Sequence, residues 1–179
     1  MNPLIPAISA DDILQALARQ AADDIYASEL AFNGGSRRCD FWRLSVWPSK
    51  AYVAQAYEIK ISRADFRRDS KIKQREARLF SDKFYYVTPV GLISVDEIPD
   101  WAGLIEFDGE QLRQKLPAPT RDKDSPSWEF VVSLIRQSGT VSRDLSMIEQ
   151  RCRRAEAQVK DAEKKLRAAG LEPWRFGIT

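Results

Sequence analysis

Apolar residues recur at helical spacing near the start of the chain, at Ile13, Leu14, Leu17, Ala18, Ala21 and Ile25. Ser9 supplies a capping hydroxyl ahead of them, and Asp11 and Asp12 put acids into the first turn. The pattern predicts one helix running to about Phe32, where Asn33-Gly34-Gly35 would end it. The period then changes. "CDFWRLSVW" (39–47) and "AYVAQAYEIKI" (51–61) have strand composition and flank a turn at Pro48-Ser49-Lys50, which predicts an antiparallel hairpin. Ser62 is positioned to cap a helix from Arg63 to about Phe80. "KFYYVTP" (83–89) reads as a further strand, 91–101 as a loop with a short turn, and 103–116 as a hairpin turning at Asp108-Gly109.

"PAPTRDKDSP" (117–126) reads as a linker and places a domain boundary between 1–119 and 120–179. Ser125-Pro126 opens a helix whose apolar face carries Trp128, Val131, Val132 and Ile135. From Leu145 to Ala169, apolar positions alternate spacings of three and four, the mark of a coiled-coil seam, although alanine makes it thin. Such a seam serves either an arm packed on its own domain or a contact with a second copy or another protein. The order of elements (helix, strand, strand, helix, strand, strands, two helices) implies a mixed α/β or α+β architecture.

At 179 residues, with 44% hydrophobic and 30% charged residues, the chain can bury one real core with a small appendage. No apolar run approaches a membrane span, and "MNPLIPAISADD" lacks the basic start and long apolar stretch of a signal peptide, so the expectation is a cytoplasmic protein with no membrane partner. Cys39 and Cys152 are the only cysteines and have no zinc spacing. There is no histidine, which removes histidine general bases, Ser-His-Asp and Cys-His catalysis, and His-dependent zinc sites. Catalysis would need carboxylates, lysine, hydroxyls or a metal, and an all-oxygen site favours magnesium or manganese. Net charge is only +2, so the placement of the cations matters more than their sum.

One placement stands out. Acid-x-Lys occurs three times, at Glu58-x-Lys60, Asp69-x-Lys71 and Glu163-x-Lys165. The motif alone therefore decides nothing. Only Glu58 and Lys60 fall in a predicted strand, where a period of two puts both on one face, together with Tyr52, Ala54 and Ala56. Val53, Tyr57, Ile59 and Ile61 take the other face, which reads as core. Asp40 begins the neighbouring strand. Asp40 and Glu58 can hold a divalent cation, with the Ile59 backbone carbonyl as a further oxygen ligand. Lys60 can orient an attacking water or stabilise phosphorane charge, and Glu29, on the predicted first helix, can support the site or a second metal. The chemistry this implies is metal-dependent phosphodiester hydrolysis.

On the predicted helix after Ser62, Arg63, Arg67, Lys71, Gln74 and Arg78 fall on one side, with Phe66, Ile72, Ala77, Leu79 and Phe80 broadly opposite. The bland meaning is an amphipathic surface helix. The functional one is contact with a phosphate backbone. Asp65 and Asp69 lean to the packed side and need cationic partners, or act in support of Lys60.

"CD", then "EIK" on the next strand, then a helix and a strand, resembles the PD-(D/E)xK nuclease superfamily. "EIKISRADFRRDSK…FSDKFYYVTP" and "AGLIEFDGE" resemble the MmcB-like DNA-repair family within it, over roughly Glu29 to Pro119. Cys39 stands where the name motif has proline, and Ile72 where the family has an aromatic residue. The resemblance implies a restriction-endonuclease-like core with a mixed central sheet; the C-terminal helical arm read from the residues after Pro126 lies outside it. The resemblance also implies metal binding by Asp40 and Glu58, catalysis by Lys60, a supporting acid in Glu29, and DNA as substrate. The leading expectation is a Mg2+- or Mn2+-dependent deoxyribonuclease in repair, recombination or phage-related DNA processing. The alternatives are a non-catalytic nucleic-acid-binding module on the same fold, and an assembly protein acting through its C-terminal helix.

Overall fold

The computed structural model describes residues 8–32, 37–137, 145–168, 170 and 172. Its elements are α1 (Ala10–Gln20), β1 (Ile25–Phe32), β2 (Arg37–Leu44), β3 (Ala54–Ile59), α2 (Arg63–Arg67), α3 (Arg75–Leu79), β4 (Lys83–Pro89), β5 (Gly103–Phe107), β6 (Leu112–Leu116), α4 (Trp128–Gln137) and α5 (Leu145–Ala168). The strands form one six-stranded mixed sheet in sequence order. β3, β4 and β5 are parallel, and the outer pairs β1–β2, β2–β3 and β5–β6 are antiparallel. Helices cover both faces, which makes the fold α+β.

Each face has its own core. On one, α1 lays Ile13, Ala16 and Leu17 against Phe41, Tyr57, Tyr85, Val87 and Phe107. On the other, Ala77 of α3 and Phe130 of α4 pack on Leu30, Phe32, Trp42, Ala54, Ala56, Phe84 and Tyr86. Ala54 and Ala56 are thus fully buried under helices and do not border open space. Ile61, expected in the core, is exposed, and Tyr52 lies outside the strand in a left-handed conformation. The 103–116 hairpin forms as expected. Gly103 is obligatory there, because a Cβ would stand 2.5 Å from the Tyr85 ring and 2.6 Å from the Ala118 nitrogen.

Two predicted helices are corrected. The first stops at Gln20: Ser9 and Asp12 form a reciprocal capping box at its start, but residues 25–32 are β1. "IYASELAF" fits either period in isolation, and pairing with β2 decides it. The predicted terminator at 33–35 lies outside the described residues. The predicted helix over 63–80 is two short helices. Between them, the Ser70 amide donates to the Asp69 carboxylate and the Lys73 amide to the Ser70 hydroxyl, so side chains take donors that a continuous helix would give to carbonyls.

The domain boundary also moves. The chain divides into two compact units, Met1–Thr140 and Val141–Thr179. The expected linker is tied down: the Arg121 amide donates to Asp82, the Asp124 amide to Leu79, and the Lys123 ammonium to the Asp82 carboxylate at 2.8 Å. Beyond it, Phe130 stacks on Phe80 and Phe32, with centroids 4.6 and 5.7 Å away, and meets Trp42 edge-on at 5.3 Å. α4 therefore belongs with the sheet. In the second unit α5 is a 24-residue helix with an Asp161–Lys165 pair one turn apart. Ala169, and the side chains of the seam's first positions, lie outside the described residues. No helix among the described residues is long and apolar enough to cross a membrane.

Candidate active site

The site forms where β2 and β3 part. Their ladder runs from Leu44↔Ala54 to Phe41↔Tyr57 and stops there. One residue further, Asp40 offers its side chain in place of its backbone: Oδ2 accepts from the Ile59 amide at 2.7 Å. This satisfies a donor that the parted strand would otherwise leave orphaned. Across from Asp40, Glu29 of β1 interrupts the β1–β2 ladder with φ of 52°. The interruption changes which residues face the helices. Ala27 before it and Leu30 and Phe32 after it lie in the same core, although strict alternation would put them on opposite faces. The Gln137 side-chain amide at the end of α4 donates to the Glu29 carbonyl at 2.9 Å and holds this kink.

The parted strands border a cleft of about 460 Å3. Ala10, Asp11 and Leu14 of α1 form one wall. Glu29, Asp40, Glu58, Lys60 and Asp65 line the rest. Glu58 and Lys60 are only 8% and 4% exposed. The Lys60 ammonium lies 2.9 Å from Glu58 Oε1, 3.3 Å from Asp65 Oδ2 and 3.6 Å from Asp69 Oδ2. Asp69 in turn accepts from the Gln74 amide at 3.0 and 2.9 Å, and burial, with the Asp69 charge behind it, pushes the Tyr86 hydroxyl above its usual range. Asp65 and Asp69 thus take the lysine-supporting place expected of them. Tyr86 was not singled out by the sequence. Its signal is the parallel register Glu58↔Tyr86, which only the assembled sheet supplies.

Electrostatically the cleft holds more acid than base. Burial drives the Glu58 carboxyl up to about 7 and Asp40 pushes it the same way, against the pull of Lys60. Asp40 is raised by burial too, while the Ile59 amide and Lys60 oppose the shift and Glu29 and Asp65 add to it. Burial works against the Lys60 charge, but Glu58, Asp69 and Asp65 outweigh it and the ammonium is held above its usual range. Glu58 Oε2 is buried without a hydrogen-bond partner. An orphaned carboxylate oxygen beside a second carboxylate, both resisting ionisation, is a donor set that a divalent cation would relieve. Asp40, Glu58 and the Ile59 carbonyl could hold it. Among the described residues no three Asp, Glu, Cys or His side chains are grouped to hold an ion, so water would have to complete the shell.

The other expected residues are placed differently. Glu29 lines the cleft, but from a strand, and its carboxylate is 3.8 Å from Arg38. The cationic stripe is dispersed because its helix is broken. Arg63 donates to the Leu92 carbonyl and, at 2.6 Å, to Glu97, and so fastens the 91–97 loop. Gln74 is buried on Asp69. Arg67 and Lys71 remain exposed. Arg78 lies over the Trp101 ring at 4.3 Å from its centroid.

No family model matches this chain, and no curated protein does. Among solved structures, the SPO1766 protein of unknown function from Silicibacter pomeroyi is similar in fold, with a TM-score of 0.52 and 20% identity over 83% of this chain and 89% of that one.

Proposed function

We propose that this chain is a metal-dependent DNA nuclease of the PD-(D/E)xK type, with a restriction-endonuclease-like core, acting in the cytoplasm in repair, recombination or phage-related DNA processing. The observation that carries the reading is the convergence of Asp40, Glu58 and Lys60 in one cleft, with a Glu58 oxygen left unbonded. Mg2+ or Mn2+ bound there would lower the pKa of a water and neutralise charge on the scissile phosphate. Asp40 and Glu58 would hold their oxygens in place, Asp40 fixed by the Ile59 amide and Glu58 by Lys60. The Lys60 ammonium, kept charged by its acid neighbours, would stabilise the developing negative charge. Glu29 would support the acids from the cleft wall. Arg67 and Lys71 would meet the backbone phosphates of the DNA. The α5 helix would serve a second copy or a protein partner.

One observation favours a non-catalytic nucleic-acid-binding module instead: the Lys60 ammonium is paired with three carboxylates of its own chain. Cleavage of plasmid and single-stranded DNA with magnesium, manganese or EDTA, comparing wild type with Lys60→Ala, separates the two. Metal-dependent cutting that the substitution abolishes supports the nuclease. DNA binding without cutting in either metal favours the module.

A further inference from the structure

A second cavity lies at the opposite end of β3 and β4 from the carboxylates. It measures about 90 Å3, enclosed by Arg78 and the segments 81–84 and 119–121, with Trp101 and Phe84 as its aromatic walls. By the ~10–15 Å3 that one water centre needs, it has room for a tetrahedral anion. Arg78, Lys83 and Arg121 are among the residues that line it. Arg121 is fixed, donating to the Arg78 carbonyl and, at 2.9 Å, to Asp124. Asp82, the one acid in the wall, is bonded by the Ala54 amide and by Lys123 at 2.7 and 2.8 Å. Among the described residues, Arg78 and Lys83 have no carboxylate within 4.0 Å. The guanidinium of Arg78 lies over the Trp101 ring, 4.3 Å from its centroid, and among the described residues no hydrogen bond from it to an acceptor is present. Burial and Arg121 both work against the Arg78 charge, and exposed Asp100 eases it only from beyond contact distance.

We infer that this cavity is a phosphate-binding subsite, in which the Arg78 guanidinium, lying over Trp101, meets one phosphate group and Lys83 adds charge from the rim. A planar guanidinium lying over an indole, with no acceptor among the described residues, is prepared for bidentate contact with oxyanion oxygens. The phosphate belongs either to a polynucleotide backbone or to a free phosphate monoester. The cavity stands on its own geometry. Only the polynucleotide source rests on the nuclease reading.

The test titrates the full chain in EDTA with inorganic phosphate, against chloride at matched ionic strength, following tryptophan fluorescence. Trp101→Phe assigns the signal. The expected result is a saturable response, lost in Arg78→Met and in Lys83→Gln, with thermal midpoints showing that both variants fold. Duplex DNA binding then identifies the source. A drop of about one in the slope of log K against log salt for Lys83→Gln indicates a backbone phosphate. An unchanged slope with retained phosphate binding in the wild type indicates a free monoester. A response no different from chloride, or one that survives both substitutions, overturns the subsite. A protein that cuts DNA without a saturable phosphate response loses the subsite alone. One that binds phosphate and never cuts loses the nuclease reading alone.

Discussion

Replacing Glu58 with glutamine should stabilise the metal-free protein above neutral pH while removing its metal response. Glu58 is pushed from an ordinary 4.5 up to about 7, chiefly by burial and by Asp40. Between these values the folded chain binds a proton that the unfolded chain has released, so stability falls as pH rises. Below 4.5 there is no penalty. Above 7 the full penalty applies, and at ~1.4 kcal/mol for each tenfold change in proton affinity it amounts to about 3 kcal/mol. Glutamine keeps an oxygen for Lys60 and carries no charge to penalise. Lys60 is held above its usual range, and Asp12, Glu97 and Asp108 are held below theirs, so these groups stay outside the window. Asp40, also raised, adds a slope of the same sign from a lower starting value. Urea unfolding in EDTA at pH 5.5, 6.5, 7.5 and 8.5 reads the effect. The wild type should lose stability across the series, and Glu58→Gln should hold nearly level. Added magnesium should then restore the wild type at pH 8.5 and leave the variant unmoved. A wild-type profile that is flat or rising, or a variant that runs parallel to it, would refute the electrostatic account of the cleft.

Three further outcomes are expected. Phe130→Ala removes the ring that joins Phe32, Phe80 and Trp42, and should cost about 3–5 kcal/mol in denaturant unfolding, while a chain ending after residue 140 should keep wild-type stability. Gly103→Ala forces a methyl against the Tyr85 ring and the Ala118 backbone and should cost about 1–3 kcal/mol, visible as a lowered thermal midpoint. Lys71→Gln should lower the salt slope of DNA binding by about one, whereas Arg63→Ala should leave that slope unchanged, because Arg63 is spent on Glu97 and Leu92.

The parts legible in the sequence are those whose signal is local. "KFYYVTP" matches β4 residue for residue, and the hairpins at 39–61 and 103–116 follow from their turns and composition. Glu58 and Lys60 could be placed together because a strand's period is geometric. The failures come where tertiary structure overrides a local pattern. Residues 25–32 carry a helical spacing that β2 recruits into a sheet, and Glu29 moves with them. Asp69 looks like one more turn of helix, yet Lys60, Gln74 and Tyr86 draw it inward and the helix breaks, scattering a cationic stripe that existed only on a helical wheel. The expected linker is polar and proline-rich, but its Arg121 and Asp124 amides bond the Asp82 and Leu79 carbonyls and its Lys123 ammonium pairs with the Asp82 carboxylate.

The bond from the Ile59 amide to Asp40 has a further consequence. It stands where the next rung of the β2–β3 ladder would form, so the cleft exists because a zipper is stopped partway. An apolar strand-former at position 40 would remove the stop and a half-buried acid together. The two strands would close on each other, and the molecule would gain stability by losing its opening. Under the proposed function, activity and folding stability pull position 40 in opposite directions. Without selection for the site, drift at this residue would run downhill, toward a firmer sheet with no cleft in it.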